Sequence, residues 1–261
     1  MPQTTLADLL GDIAPAGAEG TVVTGITADS RAVAPGMLFA ALPGTRVDGA
    51  LFVADAVAAG AVAVLAWRGA LGGDPGVPVA ETDDPRRALA LAAARLHPDQ
   101  PERIAAVTGT AGKTSVVEFV RQLAAGAGRR AASLGTLGLV GGAEETGNLT
   151  TPDPVALHAR LAALAAEGVT DLAMEASSHG IDQRRLDGVR LAAVGFTNIG
   201  RDHLDYHGSP EAYLAAKLRL FDTLAPAEAT VVVEPGAPGA DAVLAVAARR
   251  GLATITVGPA G

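Results

Sequence analysis

A short glycine-rich segment, Gly109-Thr110-Ala111-Gly112-Lys113-Thr114-Ser115, combines the residue types that bind phosphate. Its glycines let the backbone wrap around a phosphate group, and a helix that begins there points N–H groups at the anion. Lys113 can reach the outer phosphates of a nucleotide, and the hydroxyl of Thr114 can hold Mg²⁺. The segment is shorter than the usual G-x-x-x-x-G-K-[ST] pattern, which would need glycine at Val107. An ordinary strand–helix turn is the alternative, but the Lys-Thr pair favours a nucleoside triphosphate site.

The elements on either side of this segment support that interpretation. Ile104–Val107 is a continuous apolar run that predicts a buried parallel strand. The run 114–125 predicts a helix, which Gly126 and Gly128 end. The order strand, glycine-rich loop, helix is the one that a phosphate loop requires.

Glu175 and the residues after it could complete such a site. Glu175 follows a predicted strand at 170–174, where a phosphate-loop protein places a Mg²⁺ ligand or a group that orients water. A solvated acid at the end of a strand is the alternative. Ser177-Ser178-His179 invites a nucleophile interpretation, but no G-x-S-x-G pattern surrounds these residues, so a loop that binds substrate is favoured.

Two further polar features lie downstream, and each can also be explained without a functional role. His203 and His207 could bind one metal ion if helical, but Gly200, Gly208 and Pro210 surround them and favour a polar loop. Lys217 lies in a predicted helix at 210–224 among apolar residues, where a lysine usually extends to the surface.

The amino-terminal part contains one charged loop, Asp29-Ser30-Arg31, after a predicted strand at Gly25–Thr27. Arginine and serine together suit an anionic or sugar ligand, and an exposed ion pair is the alternative.

The bulk composition narrows the class of protein. The chain has 261 residues with a net charge of −8, which argues against a nucleic-acid binder. Aromatic residues make up only 3%, so the core must be mostly alanine, valine and leucine. The chain has no cysteine, which excludes disulfides and thiolate metal sites and fits a reducing cytosol. We expect no signal peptide and a cytoplasmic location.

The pattern of elements predicts an α/β protein with two domains. Residues 1–97 form a small mixed α/β unit, and the polar stretch 99–102 is the predicted linker. From 103 to 261, strands of near-continuous apolar residues alternate with helices, which predicts a parallel sheet covered on both faces. Ligands of such sheets bind at the carboxyl ends of the strands. The chain stops directly after a predicted strand, so we expect this second domain to be incomplete.

Taken together, these motifs resemble the Mur ligases over essentially the whole chain. Within that family they are most similar to the type that adds the third residue to UDP-N-acetylmuramoyl-L-alanyl-D-glutamate. The resemblance rests on the phosphate loop and on six further segments: 27–31, 35–41, 44–49, 149–153, 174–180 and 197–208. The last two, MEASSHG and TNIGRDHLDYHG, are long and occur in the family's order.

The resemblance implies a UDP-binding first domain, an ATP-binding phosphate-loop domain and the roles of individual residues. ATP would bind Gly109, Thr110, Ala111, Gly112, Lys113, Thr114 and Ser115. Lys113, Glu175, His203 and Lys217 would be catalytic. Thr114, Glu175, His203 and Lys217 would form the metal site, with Lys217 as the family's carbamylated lysine (N6-carboxylysine). Ser30, Thr45, Arg46 and Val47 would contact the UDP group, and Thr150, Thr151, Ser177, Gln183 and Arg185 would hold the muramoyl-dipeptide.

The activity that the resemblance implies is ATP-driven amide formation with Mg²⁺. The partners would be UDP-MurNAc-L-Ala-D-Glu, ATP and a diamino acid, meso-diaminopimelate or L-lysine, with no nucleic acid or membrane. Two departures matter: Ala111 stands where the family often has Asn or Ser, and the family's third, Rossmann-like domain is expected to be absent. A non-catalytic fragment that binds UDP-MurNAc-dipeptide or nucleotide, a simple NTPase or kinase, and a folate- or cyanophycin-type ligase are the alternatives.

Overall fold

The computed structural model describes residues 3–44, 47–142 and 150–258. The chain divides into two compact units, Met1–Pro98 and Asp99–Gly261. Within the described ranges, none of the helices combines the length and the apolar character needed to cross a bilayer.

The first unit is a small sheet of four parallel strands with helices. The strands are β1 (Gly25–Thr27), β2 (Met37–Ala41), β3 (Ala63–Trp67) and β4 (Val79–Thr82), in the spatial order β1-β2-β3-β4. The helices are α1 (Leu6–Leu10), α2 (Val53–Ala58) and α3 (Pro85–Leu96). The beginning of α3 follows from its sequence, because Asp84 caps the helix and Pro85 occupies its first turn.

The second unit is built on a larger sheet. Its strands are β5 (Arg103–Thr108), β6 (Ala131–Gly135), β7 (Gly138–Val140), β8 (Asp171–Glu175), β9 (Leu191–Phe196), β10 (Thr230–Val233) and β11 (Ala253–Thr256). Its helices are α4 (Lys113–Gly126), α5 (Pro154–Ala166), α6 (Ser178–Asp182), α7 (Leu204–His207), α8 (Pro210–Arg219) and α9 (Ala240–Arg250). A π-helical turn, Leu220–Leu224, continues α8.

The strand order of this sheet is β11-β10-β9-β5-β8-β6-β7. The predicted α/β class is confirmed, with one correction: the sheet is mixed, because β7 pairs with β6 in the antiparallel direction. All other pairings are parallel. Since β5 lies between β8 and β9, the loops after these three strands meet at one edge of the sheet.

The loops predicted around the polar motifs are partly wrong. The segment 178–182 forms the short helix α6, because Ser177 caps it by accepting a hydrogen bond from the N–H of Gly180 at 3.1 Å. The segment 204–207 forms α7. His203, the residue before this helix, has a left-handed backbone conformation with φ +50°. Strands β4, β6 and β7 and helix α1 were not predicted.

The core of the second unit is made mainly of leucine, valine and alanine, as the composition predicts. One aromatic pair, Phe196 and Phe221, lies edge to face in it with ring centroids 6.3 Å apart. This packing joins β9 to the end of α8 and so fixes the helix that carries Lys217.

Candidate active site

The phosphate-loop segment follows β5 and runs directly into α4. An added Cβ on Gly109 would lie 1.9 Å from the Thr197 hydroxyl oxygen, so only glycine fits there. Gly112 has φ +86°, a conformation that glycine adopts without strain, and stands at the amino end of α4. No side chain in the described residues caps α4, so its first N–H groups face the loop.

The loop backbone is fixed by the segment that follows β9. The N–H of Thr110 donates to the Asn198 carbonyl at 2.9 Å, and the N–H of Ala111 donates to the Asn198 side-chain oxygen at 3.1 Å. The Thr197 hydroxyl donates to the Ala111 carbonyl at 2.6 Å. Ala111, the position that departs from the family pattern, is therefore held through its backbone alone.

Both lysines of the chain converge on one oxygen atom of this loop. Lys113 and Lys217 are the only lysines in the sequence. The Lys113 ammonium donates to the Gly109 carbonyl at 2.9 Å, and the Lys217 ammonium donates to the same carbonyl at 2.8 Å. Two cations at one loop create a site suited to an anion.

Lys217 is buried, with 1% of its surface exposed, which contradicts the surface position that its local sequence alone favours. Its ammonium lies 4.3 Å from the centroid of the Tyr213 ring. Burial, followed by the nearby positive charge of Lys113, lowers the pKa of Lys217 to about 7. Near pH 7, a substantial fraction of the molecules therefore carry Lys217 as a neutral, nucleophilic amine.

Glu175 lies beside the loop at the end of β8. It is buried, and its Oε1 accepts hydrogen bonds from the Thr114 hydroxyl at 2.9 Å and from the N–H of Thr136 at 2.8 Å. The carboxylate and the Thr114 hydroxyl are oxygen donors of the kind that Mg²⁺ prefers.

The residues predicted to hold the dipeptide form one network in the second unit. Arg185 donates to the Thr151 carbonyl at 2.6 Å and to the Gln183 side-chain oxygen at 2.7 Å. The hydroxyls of Thr151 and Ser177 are hydrogen-bonded at 3.0 Å. Thr150 lies 3.3 Å from the Thr136 hydroxyl, which connects this network to the loop after β6.

His203 lies in a group of aromatic rings. The His179 ring is 4.6 Å from that of His203, 4.2 Å from Tyr206 and 5.5 Å from His207. The buried Ser178 hydroxyl is hydrogen-bonded to the His207 ring at 3.0 Å. Ser178 is therefore paired with His207 and not with its neighbour in sequence, His179. Burial, followed by the charges of His203 and His207, lowers the pKa of His179.

A magnesium ion fits only part of the predicted metal set. In the described part of the chain, no three His, Asp or Glu side chains are grouped closely enough to hold a metal ion. Thr114 and Glu175 do meet, and Mg²⁺ in nucleotide sites commonly takes one or two carboxylates plus phosphate oxygens. Protonated Lys217 is no ligand, because an ammonium group has no lone pair.

The predicted UDP contacts belong to the first unit. Ser30 begins a short 3₁₀ turn, and Val47 is exposed. Thr45 and Arg46 lie outside the described residues. Arg31 and Asp29 pair with each other at 2.7 Å, and the Arg31 guanidinium lowers the pKa of Asp29 to about 2. The exposed ion pair that was the alternative is therefore present.

Three contacts were missed by the sequence analysis. Thr136 donates to Glu175, Asn198 accepts from the loop, and Tyr213 is hydrogen-bonded to the Thr110 hydroxyl at 3.1 Å. The glycine-threonine pair that ends β6 is the one local signal that could have indicated Thr136, since it repeats the strand-end pattern of the phosphate loop.

The chain is similar to known proteins along its whole length. The model of the Mur ligase middle domain matches residues 107–261, and that of the Mur ligase family catalytic domain matches residues 22–127. The UDP-N-acetylmuramoyl-L-alanyl-D-glutamate–2,6-diaminopimelate ligase of Agrobacterium fabrum is 57% identical, over 90% of this chain and 48% of the relative. That of Bradyrhizobium diazoefficiens is 52% identical, over 97% of this chain and 52% of the relative.

A solved structure of a UDP-N-acetylmuramoyl-L-alanyl-D-glutamate–2,6-diaminopimelate ligase matches 97% of this chain and 52% of its own length, with a TM-score of 0.81 and 30% identity. The chain thus spans about half the length of the curated relatives it matches. Because the middle-domain model alone covers more than half of its residues, this chain belongs to the Mur ligase family.

Proposed function

We propose that this chain is part of an ATP-dependent amide ligase that adds meso-diaminopimelate to UDP-MurNAc-L-Ala-D-Glu. The observation that carries the proposal is the convergence of Lys113 and Lys217 on the Gly109 carbonyl, beside the Thr114–Glu175 pair. Its similarity to ligases named for 2,6-diaminopimelate favours that amino acid over L-lysine.

The phosphates of ATP bind the loop at 109–115. Lys113 and the first N–H groups of α4 neutralise the negative charge that spreads over the transferring phosphoryl group. Thr114 and Glu175 would hold Mg²⁺, which supplies further positive charge at those phosphates. Residues 197–200 keep the loop open in the shape that the phosphates require, through the hydrogen bonds to Thr110 and Ala111.

Lys217 acts in carbamylated form. Its neutral amine attacks CO₂, a C–N bond forms, one C=O bond becomes C–O⁻, and the amine loses a proton. The product is an anionic oxygen donor in place of a cation, and Mg²⁺ prefers oxygen donors of this kind. The lowered pKa of Lys217 supports this step, because only the unprotonated amine reacts.

The acceptor substrate is held by Thr150, Thr151, Ser177, Gln183 and Arg185. Its terminal carboxylate attacks the γ-phosphorus of ATP, the bond to ADP breaks, and an acyl-phosphate forms. The amino group of diaminopimelate then attacks the acyl carbon, releases phosphate and loses a proton. The site must exclude water, because an acyl-phosphate hydrolyses.

A binding function without ligation is the second candidate for the chain on its own. It is favoured by one fact, that the chain spans about half the length of its curated relatives. On this alternative the 261-residue chain binds ATP and UDP-MurNAc-dipeptide but forms no tripeptide.

Calorimetric titration of the purified chain tests the proposal. We expect Mg–ATP and UDP-MurNAc-L-Ala-D-Glu each to bind, and Lys113→Ala to weaken Mg–ATP binding by roughly tenfold or more through the lost charge-assisted contacts. Arg249→Gln is the control, because Arg249 pairs with Asp222 at the surface, and its Mg–ATP affinity should equal that of the wild type.

Ligation is measured as diaminopimelate-dependent phosphate release, both with this chain and with its coding sequence expressed at full length. Turnover by the full-length protein would support the ligase proposal. Ligand binding without turnover by this chain would support the fragment alternative for the chain on its own. Failure of Mg–ATP to bind, or an equal affinity in Lys113→Ala, would contradict the proposed phosphate site.

A further inference from the structure

Tyr206 lies between His203, a proposed metal-site residue, and the proposed substrate-binding residues Gln183 and Arg185. It belongs to α7, three residues after His203. Its ring is tilted against the His179 ring, with centroids 4.2 Å apart, and His179 in turn lies edge to face on His203. On this side Tyr206 is part of the ring cluster that fixes His203.

On its other side Tyr206 is hydrogen-bonded to the helix α6 turn. Its hydroxyl donates to the Asp182 carboxylate at 2.8 Å and accepts from the Gln183 amide nitrogen at 3.1 Å. The Gln183 oxygen accepts from Arg185 at 2.7 Å, and Arg185 donates to the Thr151 carbonyl at 2.6 Å. An unbroken series of hydrogen bonds thus runs from Tyr206 through Gln183 and Arg185 to Thr151.

Backbone strain occurs in the same two segments. Arg184 (φ +62°) and His203 (φ +50°) are the non-glycine residues with positive φ in the described part of the chain. Such conformations persist only where surrounding contacts hold them. Arg184 lies between Gln183 and Arg185, and His203 precedes the helix that carries Tyr206, so Tyr206 joins the two strained turns.

We propose that Tyr206 is a positioning residue that holds Gln183 and Arg185 in the geometry that receives the acceptor substrate, and that links them to the loop of His203. The proposal rests on the proposed function for the identity of that substrate. Tyr206 acts through the side chains of Gln183 and Arg185 and not by contact with the substrate.

Tyr206→Phe tests the proposal, because it removes the hydroxyl and keeps the ring on His179. The first measurement is hydrogen exchange in the free chain, at the amides of Gln183 and Arg185, which donate to the carbonyls of His179 and Gly180. We expect both amides to exchange about threefold to tenfold faster than in the wild type, as the loss of one or two hydrogen bonds predicts. Arg249→Gln is the control and should leave this exchange unchanged.

The second measurement is the dissociation constant of UDP-MurNAc-L-Ala-D-Glu. We expect Tyr206→Phe to raise it about threefold to tenfold, with no change in Mg–ATP affinity. In a Gln183→Leu background, which already lacks the intermediate amide, Tyr206→Phe should raise it by less than twofold. A residue that acted only on general stability would give the same factor in both backgrounds.

Each result decides one of the two proposals. Unchanged exchange at Gln183 and Arg185 overturns the role of Tyr206, and so does faster exchange with unchanged substrate affinity. A wild-type chain that does not bind UDP-MurNAc-dipeptide contradicts the proposed function; the exchange result then decides by itself whether Tyr206 holds these residues.

Discussion

At the scale of single residues, the shared acceptor of the two lysines requires an explanation. Both ammonium nitrogens lie within hydrogen-bond distance of the Gly109 carbonyl oxygen, so they are less than about 6 Å apart. Two unit charges at that separation repel by roughly 3 kcal/mol at an effective dielectric of about 20. Burial of Lys217 adds to this cost. Loss of the Lys217 proton, or its conversion to an anionic carbamate, removes the repulsion, and a carbamate replaces it with attraction to Lys113.

A carbamate on Lys217 can be assigned directly. With ¹³C-labelled CO₂, carbamate carbon signals can arise only from Lys113, Lys217 and the α-amine, since the sequence has no other lysine. We expect ¹³C NMR to show a signal that Lys217→Met abolishes. Lys113→Met should retain it, although weaker at equal pH, because Lys113 helps to lower the pKa of Lys217.

The pH dependence of that signal follows from the same pKa. Only the unprotonated amine reacts, and the pKa of Lys217 is about 7 instead of the ordinary 10.5. At constant dissolved CO₂, the signal should therefore rise steeply from pH 6 to pH 8. A lysine with an ordinary pKa would stay almost fully protonated over this range. A signal that persists in Lys217→Met would assign the carbamate to another amine.

At the scale of elements, the phosphate loop depends on the segment after β9. Gly109 packs against Thr197, and an added Cβ would lie 1.9 Å from its hydroxyl oxygen. We expect Gly109→Ala to lower the free energy of unfolding by about 1–3 kcal/mol, the usual cost of overpacking, and to weaken Mg–ATP binding because the loop must shift. Urea denaturation and calorimetric titration measure the two effects.

Gly126→Ala is the matched control for that prediction. Gly126 is the last residue of α4, and an added Cβ would meet nothing within 4 Å. Alanine is a better helix former than glycine, so this variant should be more stable by about 0.5–1 kcal/mol and bind Mg–ATP normally. Equal stability of Gly109→Ala and the wild type would contradict the close packing of the loop on Thr197.

The elements also show what local sequence can and cannot predict. Strands β5 and β8 and helix α4 have strong apolar patterns, and their predicted bounds agree closely with the structure. Strand β7 has only three residues, and its antiparallel pairing with β6 is a tertiary choice. Helices α6 and α7 have five and four residues, too few for any periodicity to appear.

The same division applies to the candidate site. Glu175 lies beside Thr114 because parallel strands end at one edge, and this proximity could be predicted from chain order. The burial of Lys217 could not, since its neighbours in sequence are those of many surface helices. The contacts of Tyr206 depend on how distant loops fold together, so no local pattern indicates them.

At the scale of the whole molecule, the two units have separate apolar cores. The core of the first unit surrounds β2 and β3, with Phe39, Val53 and Val64 buried in it. The core of the second unit surrounds β5, β8, β9 and β10. Each unit also has its own predicted nucleotide contacts, Ser30 and Val47 in the first and the loop at 109–115 in the second.

This division predicts that the two nucleotides protect different parts of the chain. In hydrogen-exchange mass spectrometry, UDP should slow exchange in peptides around Ser30 and Val47, since bound ligand stabilises the backbone it contacts. Mg–ATP should slow exchange in peptides that cover 109–115 and the start of α4. At equal Mg–ATP concentration, Lys113→Ala should reduce the second effect and leave the first intact, because Lys113 belongs to the phosphate loop alone. Protection by UDP of the loop peptides, with none around Ser30, would contradict the assignment of the UDP group to the first unit.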